Sequence, residues 1–419
     1  MSQDLSIVRS RFPALSRPEV FLDNPGGTQM VNASLERIQR MMVETNANHG
    51  GVFATSQRSD ETVYEARKAV KDFFNAARPE EIIFGANMTT ITYHISRSLA
   101  RTFKPGDSIV VTRMDHDGNI SPWLQAAEDR GLRILWVDFD TETGMLNLAN
   151  LQKALDEKPR LVAVGYASNS LGTINPIQKI VEMAHAAGSL VYVDAVQYAP
   201  HAPIDVQALD CDFLVCSSYK FYGPHAGVLY GKYDLLDALP AYKVRPCPNE
   251  PPDKFETGTG NFEAIGGVLG VMEYFEWLGR TLGEEYYDEL SKNYSGQALA
   301  LKQAMYTLHD YDMTLNRALL KELKDVPGIS IIGITDEKEL HQRVPTFSFT
   351  VKGKTPLEIA TGLAKEKIYI WNGNFYALEI AKRYGTEGKG GFARVGAVHY
   401  NTLSEIERFS QVLKRIVAG

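Results

Sequence analysis

Lys220 stands at the end of an apolar run of strand composition, in FLVCSSYKFYGPHAGVLYGK, directly after two serines and a tyrosine. An amine placed there is partly desolvated and close to hydroxyl donors, which tunes a lysine toward imine formation with a carbonyl group. A solvated lysine at a strand end would share the same local pattern, so the assignment depends on partners elsewhere in the chain. Asp194, upstream in SLVYVDAVQY, closes a second apolar run. Its carboxylate could cap a following helix. It could also hold the protonated ring nitrogen of pyridoxal phosphate, which draws electrons away from a substrate carbon. The coupling of such a lysine with such an aspartate favours the second role.

Around these two residues the chain carries FLDNPGG, NHGG, MTTITY, RMDHDGNISPW, ASNSLGTINP, VDAVQ, DCDFLVCSSYKFYGP, KFETGTGN and ARVGAVHYNT, in that order. Nine ordered motifs over most of the chain resemble the class V aminotransferase family of pyridoxal-phosphate enzymes, in particular its group II cysteine desulfurases and selenocysteine lyases. The resemblance implies the α/β type I fold of these transferases, with a mostly parallel seven-stranded sheet in a large domain and a smaller C-terminal α/β domain.

It also implies roles for individual residues. Lys220 carries the cofactor as a Schiff base, Asp194 holds its ring nitrogen, and His116 in RMDHDGN stacks on its ring and moves protons near the substrate carbon. The flanking Asp115 and Asp117 are expected to raise the His116 pKa or to orient the ring. Thr89 and Thr90 in GANMTTITY offer hydroxyls and amides to the phosphate at a helix start, although an N-cap without a ligand would look alike. Thr90 aligns with the family's phosphate threonine, and Ser217 with its second phosphate hydroxyl. Gln197 and Asn169 match positions that bond the cofactor's phenolic oxygen or the substrate carboxylate, while an Asn in SNSLG could simply make a turn. Thr259 in FETGTGN resembles a threonine that reaches the neighbouring subunit's phosphate, which implies a homodimer with shared active sites. Arg394 is the expected clamp on an α-amino acid carboxylate, since a planar guanidinium grips it through two parallel hydrogen bonds. His49 matches the substrate entrance, and Tyr376 and Asn374 are candidates for substrate specificity.

Two departures bear on chemistry. Tyr219 precedes the lysine where the desulfurases usually carry histidine, and a phenol can donate to phosphate without acting as a cation or a neutral-pH base. Tyr376 stands where the persulfide-forming cysteine of group II desulfurases would be, and the three cysteines all fall before residue 248. Persulfide transfer requires a thiolate. The expected reaction is therefore β-elimination by a carbon-sulfur lyase acting on cysteine, cystine or an S-substituted cysteine, without an enzyme persulfide. An epimerase or racemase, with Tyr376, Tyr219 or His116 as second proton carrier, is the first alternative, and a class V aminotransferase the next. Outside catalysis, the chain could be a silent cofactor-binding partner of another enzyme.

These residues must be positioned by a scaffold, and the sequence outlines one. Strand-like runs EIIFGA, SIVVTRM, RILWVDF, RLVAVGYAS, LVYVDAV, DFLVCSS and GVLYGK are mostly separated by amphipathic stretches, which reads as a mostly parallel sheet covered by helices on both faces. After residue 284 a long charged helical stretch begins, followed by strands near GISIIGI, TFSFTV and IYIWNG. The expected division is a large domain over 20–285 and a small one over 286–419 joined by 1–19. A chain of 419 residues, 44% hydrophobic, can bury such cores. Its net charge of -7 without a basic stripe argues against nucleic acid. No apolar run approaches bilayer length and the N-terminus lacks a secretion core, so a cytoplasmic location without membrane contact is the default expectation. Odd, irregularly spaced cysteines suggest reduced thiols, with Cys211 and Cys216 in the core, and no metal site is expected.

Overall fold

Alternate residues of each main-sheet strand enter two different cores. In Phe213–Ser217, Leu214 and Cys216 join one apolar cluster while Phe213 and Val215 join another. Strands buried on both faces need continuous apolar runs, and the seven runs named above are strands, the edge strand Arg133–Val137 alone being only partly buried. The computed structural model describes residues 5–419. Its main sheet runs in the order 82–85, 227–231, 213–217, 190–194, 161–165, 108–112, 133–137. All neighbours pair in parallel except Gly227–Gly231, which is antiparallel to both Ile82–Gly85 and Phe213–Ser217. Loops leaving the parallel strands therefore gather at one sheet edge, where Thr112, Gly165, Asp194 and Ser217 end their strands.

A second, four-stranded antiparallel sheet has the order Trp371–Gly373, Phe392–Gly396, Thr346–Val351, Ile329–Ile331. Its central strand Phe392–Gly396 carries Arg394 and was not among the expected strands. Leu315, Leu319 and Leu323 of the long helix Gly296–Lys324 pack in the core of this smaller unit, whereas Leu301, Ala304, Met305 and Leu308 of the same helix join the core of the larger one. The two cores thus meet along that helix.

The N-terminal segment touches both units. Val8 and Phe12 join the larger cluster, with Phe12 edge-on to Tyr222, Tyr274, His399 and Tyr400 at ring distances of 5.0–5.7 Å, while Leu5 packs against the smaller core and Arg9 pairs with Glu405 at 3.0 Å. Residues 1–4 of the segment lie outside the described part. Among the described residues, no helix is long and apolar enough to cross a membrane.

Candidate active site

The loops at the carboxyl edge of the main sheet enclose a cavity of about 870 Å³, closed on the far side by the smaller sheet. Lys220 ends a short turn, Ser218–Lys220, that follows the strand ending at Ser217. Its Nζ donates to the carbonyl of Pro25. Burial, and next the charge of Arg394, bring its pKa down to about 7, so a large share of the amine is uncharged near neutrality. Asp194 lies in the cavity wall with Oδ1 accepting the Val196 N–H at 2.9 Å. Burial raises its pKa to about 6, against the opposing pull of that hydrogen bond and of Lys220.

His116 faces the same space, but its electrostatics overturn the expectation. Its pKa falls to about 4, through burial first and then the charges of Lys220 and Arg394. The neighbouring carboxylates are engaged elsewhere: Asp115 accepts from the Gly165 N–H at 2.7 Å and from Asn119 at 3.1 Å, and Asp117 accepts from Ser121 at 2.5 Å. The Gly118 N–H donates to His116 Nδ1 at 2.9 Å. A neutral ring accepting there carries its proton on Nε2.

Arg394 is 3% exposed and donates from Nη1 to the Asn169 carbonyl at 2.9 Å, over the Phe375 ring at 4.1 Å. Its Nε has no partner among the described residues, and neither does Asn169 Oδ1 or Asp23 Oδ1. The Asn169 side chain donates to the Phe375 carbonyl at 2.8 Å, and Gln197 to Thr346 at 3.1 Å. Asn374 Oδ1 accepts the Tyr376 N–H at 3.1 Å, while the Tyr376 carbonyl accepts from the Asp117 N–H at 2.7 Å. Tyr376 is 74% exposed at the mouth of the cavity, its ring 5.6 Å from that of His116.

The other end of the cavity is the start of the helix Met88–Ala100. Asn87 caps it by accepting the Thr90 N–H, and Ser217 Oγ accepts the Met88 N–H, both at 2.9 Å. The N–H of Thr89 has no partner among the described residues, and its side chain faces the cavity. A Cβ on Gly118 would lie 2.8 Å from Thr89 Oγ1, so the space beside that hydroxyl depends on glycine. An open helix start with threonine, serine and phenol hydroxyls suits a phosphate, a buried carboxylate suits a pyridinium, and an amine near neutrality suits the aldehyde. The unpartnered polar atoms around Arg394 leave room for a substrate carboxylate. The residues present fit pyridoxal phosphate.

Lys220, His116, Asp194, Gln197, Thr89, Ser217, Tyr219, Asn169, Arg394, Tyr376 and Asn374 thus come together. Three candidates do not. Thr90 and Thr259 are exposed and line a second cavity of about 420 Å³, which adjoins the first through Ala86 and His225. His49 is exposed, its ring 6.2 Å from that of Phe262. Sequence reasoning also missed residues that the cavity includes, among them Asn87, Tyr93, His225 and Trp371. The charge of Asp23 acts on Lys220 and Arg394, and the FLDNPGG motif was the available signal for it.

The family model described as "Aminotransferase class-V" matches residues 20–304 and 295–409. A cysteine desulfurase of Synechococcus elongatus is 32% identical over 99% of this chain, which spans 64% of that longer protein. An aminotransferase-like protein of Gibberella zeae is also 32% identical, over 98% of each chain. The apo structure of a cysteine desulfurase from Thermococcus onnurineus is similar with a TM-score of 0.85, at 26% identity over 99% of this chain and 98% of that one.

Proposed function

From the premise that this chain belongs to the class V aminotransferase family, we propose that it is a carbon-sulfur lyase acting by β-elimination on cysteine, cystine or an S-substituted cysteine, with no enzyme-bound persulfide. It is a pyridoxal-phosphate enzyme with the fold of that family.

The observation that carries the reading is the absence of a thiol from the cavity wall among the described residues. Cys211 and Cys216 are fully buried in apolar surroundings, which pushes both thiols above their usual pKa. Cys247, partly buried, donates to the Asp253 carbonyl at 3.1 Å away from the cavity. Tyr376 occupies the mouth instead. A leaving group that departs into solution needs no acceptor thiol. Both elimination and the desulfurase reaction begin from a cysteine-type substrate, so the likeness to desulfurases supports this substrate class.

Bound pyridoxal phosphate supplies the electron sink for bond breaking at the substrate α-carbon. Asp194 keeps a proton on the ring nitrogen. Arg394, with its Nε unengaged, holds the substrate carboxylate and so orients the α-hydrogen. Lys220 would hold the cofactor's aldehyde and, displaced by the substrate's amine, would take the α-proton at Nζ. The Cα–H and Cβ–S bonds break, the sulfur leaves with the electron pair of the Cβ–S bond, and a Cα=Cβ bond forms. His116 presents Nε2–H as a hydrogen-bond donor in the cavity. Water hydrolyses the released enamine, and the balance is S-substituted cysteine plus water giving thiol, pyruvate and ammonium. The same reading makes the functional unit a homodimer, with Thr259 reaching toward the partner subunit's site.

The test is the release of pyruvate together with thiol or sulfide when the purified, cofactor-loaded protein is given L-cysteine, L-cystine and S-substituted cysteines. Release that disappears in Lys220→Ala is expected. If amino acids perturb the cofactor's absorbance yet no pyruvate forms, elimination is the wrong reaction, and α-proton exchange or amino-group transfer takes its place.

A further inference from the structure

A cofactor phosphate brings up to two negative charges, and the donors at the helix start Met88–Ala100 are neutral. They are the Thr89 N–H and hydroxyl, the Ser217 hydroxyl and the Tyr219 phenol, which shares a hydrogen bond with Ser217. The basic side chains lining the cavity are His116, Lys220, His225 and Arg394. Lys220 and Arg394 act on His116 and on Asp23, so these charges share the substrate end. His225 is not among the charges acting on either, although Lys220 Nζ lies 5.2 Å from the centroid of the Tyr219 ring on which His225 stacks.

Strand pairing places it. Gly85 pairs with Gly227 in antiparallel register, and a Cβ on Gly227 would lie 2.5 Å from the carbonyl carbon of Asn87. The start of this strand therefore presses against the N-cap of the helix, and His225 lies two residues earlier. Its ring stacks on Tyr219 at 4.9 Å with an interplanar angle of 25°. It is exposed in the single chain and lines both the main cavity and its neighbour.

We propose that His225 is the cationic partner of the cofactor phosphate, held over the helix start by its stack on Tyr219. The inference rests on the phosphate lying at the start of Met88–Ala100. A cation there complements the positive end of the helix dipole rather than duplicating it, because the helix contributes only partial charge. Tyr219 then acts in two ways, as hydroxyl donor through Ser217 and as the platform that fixes the imidazole.

Equilibrium dialysis of the apo protein against pyridoxal phosphate and against pyridoxal tests this without turnover. In His225→Gln, affinity for pyridoxal phosphate should fall tenfold or more with affinity for pyridoxal unchanged, and His225→Lys should restore most of the loss. An unchanged ratio between the two ligands in His225→Gln would overturn the proposal, as would a parallel loss of both. A Thr89→Ala, Ser217→Ala double variant separates the two layers of the argument. If it leaves the ratio untouched, the phosphate is not at this helix and the placement fails with the proposal. If it lowers the ratio while His225→Gln does not, the placement stands and only His225 is excluded.

Discussion

His116 shows how single residues acquire their chemistry from groups far away in the chain. Flanked by two aspartates, it reads as a raised-pKa histidine, yet its ring is neutral because burial and two distant cations outweigh carboxylates that point elsewhere. Lys220 is the complementary case, a lysine whose amine is released from its charge by the same burial. Three expectations belong at this scale. Covalent capture of pyridoxal phosphate by the apo protein, measured by borohydride reduction and mass mapping, should rise roughly tenfold per pH unit below about 7 and level off above it. Lys220→Ala should abolish capture while leaving the melting profile cooperative; capture persisting at another lysine would remove Lys220 from its role. Arg394→Ala should weaken amino-acid binding by about 2–4 kcal/mol, the usual cost of deleting one partner of a buried charge pair. Binding left intact, followed by titration of the cofactor absorbance, would place the carboxylate clamp elsewhere.

Elements decide which side of a residue meets the cavity, and this limits what the sequence reveals. Six strands were legible because doubly buried strands are continuous apolar runs, and the edge strand Arg133–Val137 because its run RILWV is apolar though only partly buried. Phe392–Gly396 was not, since five residues with a central arginine give no clear period. Thr89 and Thr90 are adjacent on one helix, so about 100° of rotation separates them, and only the axis fixed by packing tells which faces the cavity. The segment 373–377 shows a further tertiary effect. Phe375 and Tyr376 adopt φ of 56° and 57°, a left-handed conformation that costs a residue with a Cβ about 1–2 kcal/mol. Bonds from Asn169 and Asp117 to their carbonyls hold it in place. Because Tyr376 is largely exposed, this strain is the main thing its replacement changes in the fold. Tyr376→Gly should therefore unfold about 1 kcal/mol harder than Tyr376→Ala in denaturant titration. Equal stability would mean that the conformation carries no strain at this position.

At the scale of the whole molecule, the site stores unfavourable charge that the rest of the fold must carry. Burial raises the carboxyls of Asp194 and Asp23 to about 6, and among the described residues neither forms a close ion pair. A carboxyl with a raised folded pKa keeps a proton that the unfolded chain has already lost. Between about pH 4 and 6, stability therefore falls as pH rises, and above that window the penalty is complete. His399 acts in the opposite sense: burial lowers it to about 3, so stability is lost as pH falls below the unfolded histidine value. Asp194→Asn isolates the first effect, since an amide oxygen can still accept the Val196 N–H. Two pKa units correspond to about 3 kcal/mol, an upper figure before relaxation of the surroundings. In the apo protein the variant should be more stable than the parent at pH 8, and the gap should shrink toward pH 5, where much of the parent's Asp194 is already protonated. Saturating pyridoxal phosphate should reverse the order, because tighter binding of the ligand to the folded chain stabilises it more, by RT ln(1 + L/Kd) at free ligand concentration L, and the asparagine has lost the charge that pairs with the pyridinium. Thermal melts of both proteins at the two pH values, with and without cofactor, read all three outcomes. A pH-independent gap, or a variant stabilised by cofactor as much as the parent, would show that Asp194 neither strains the empty site nor holds the ring.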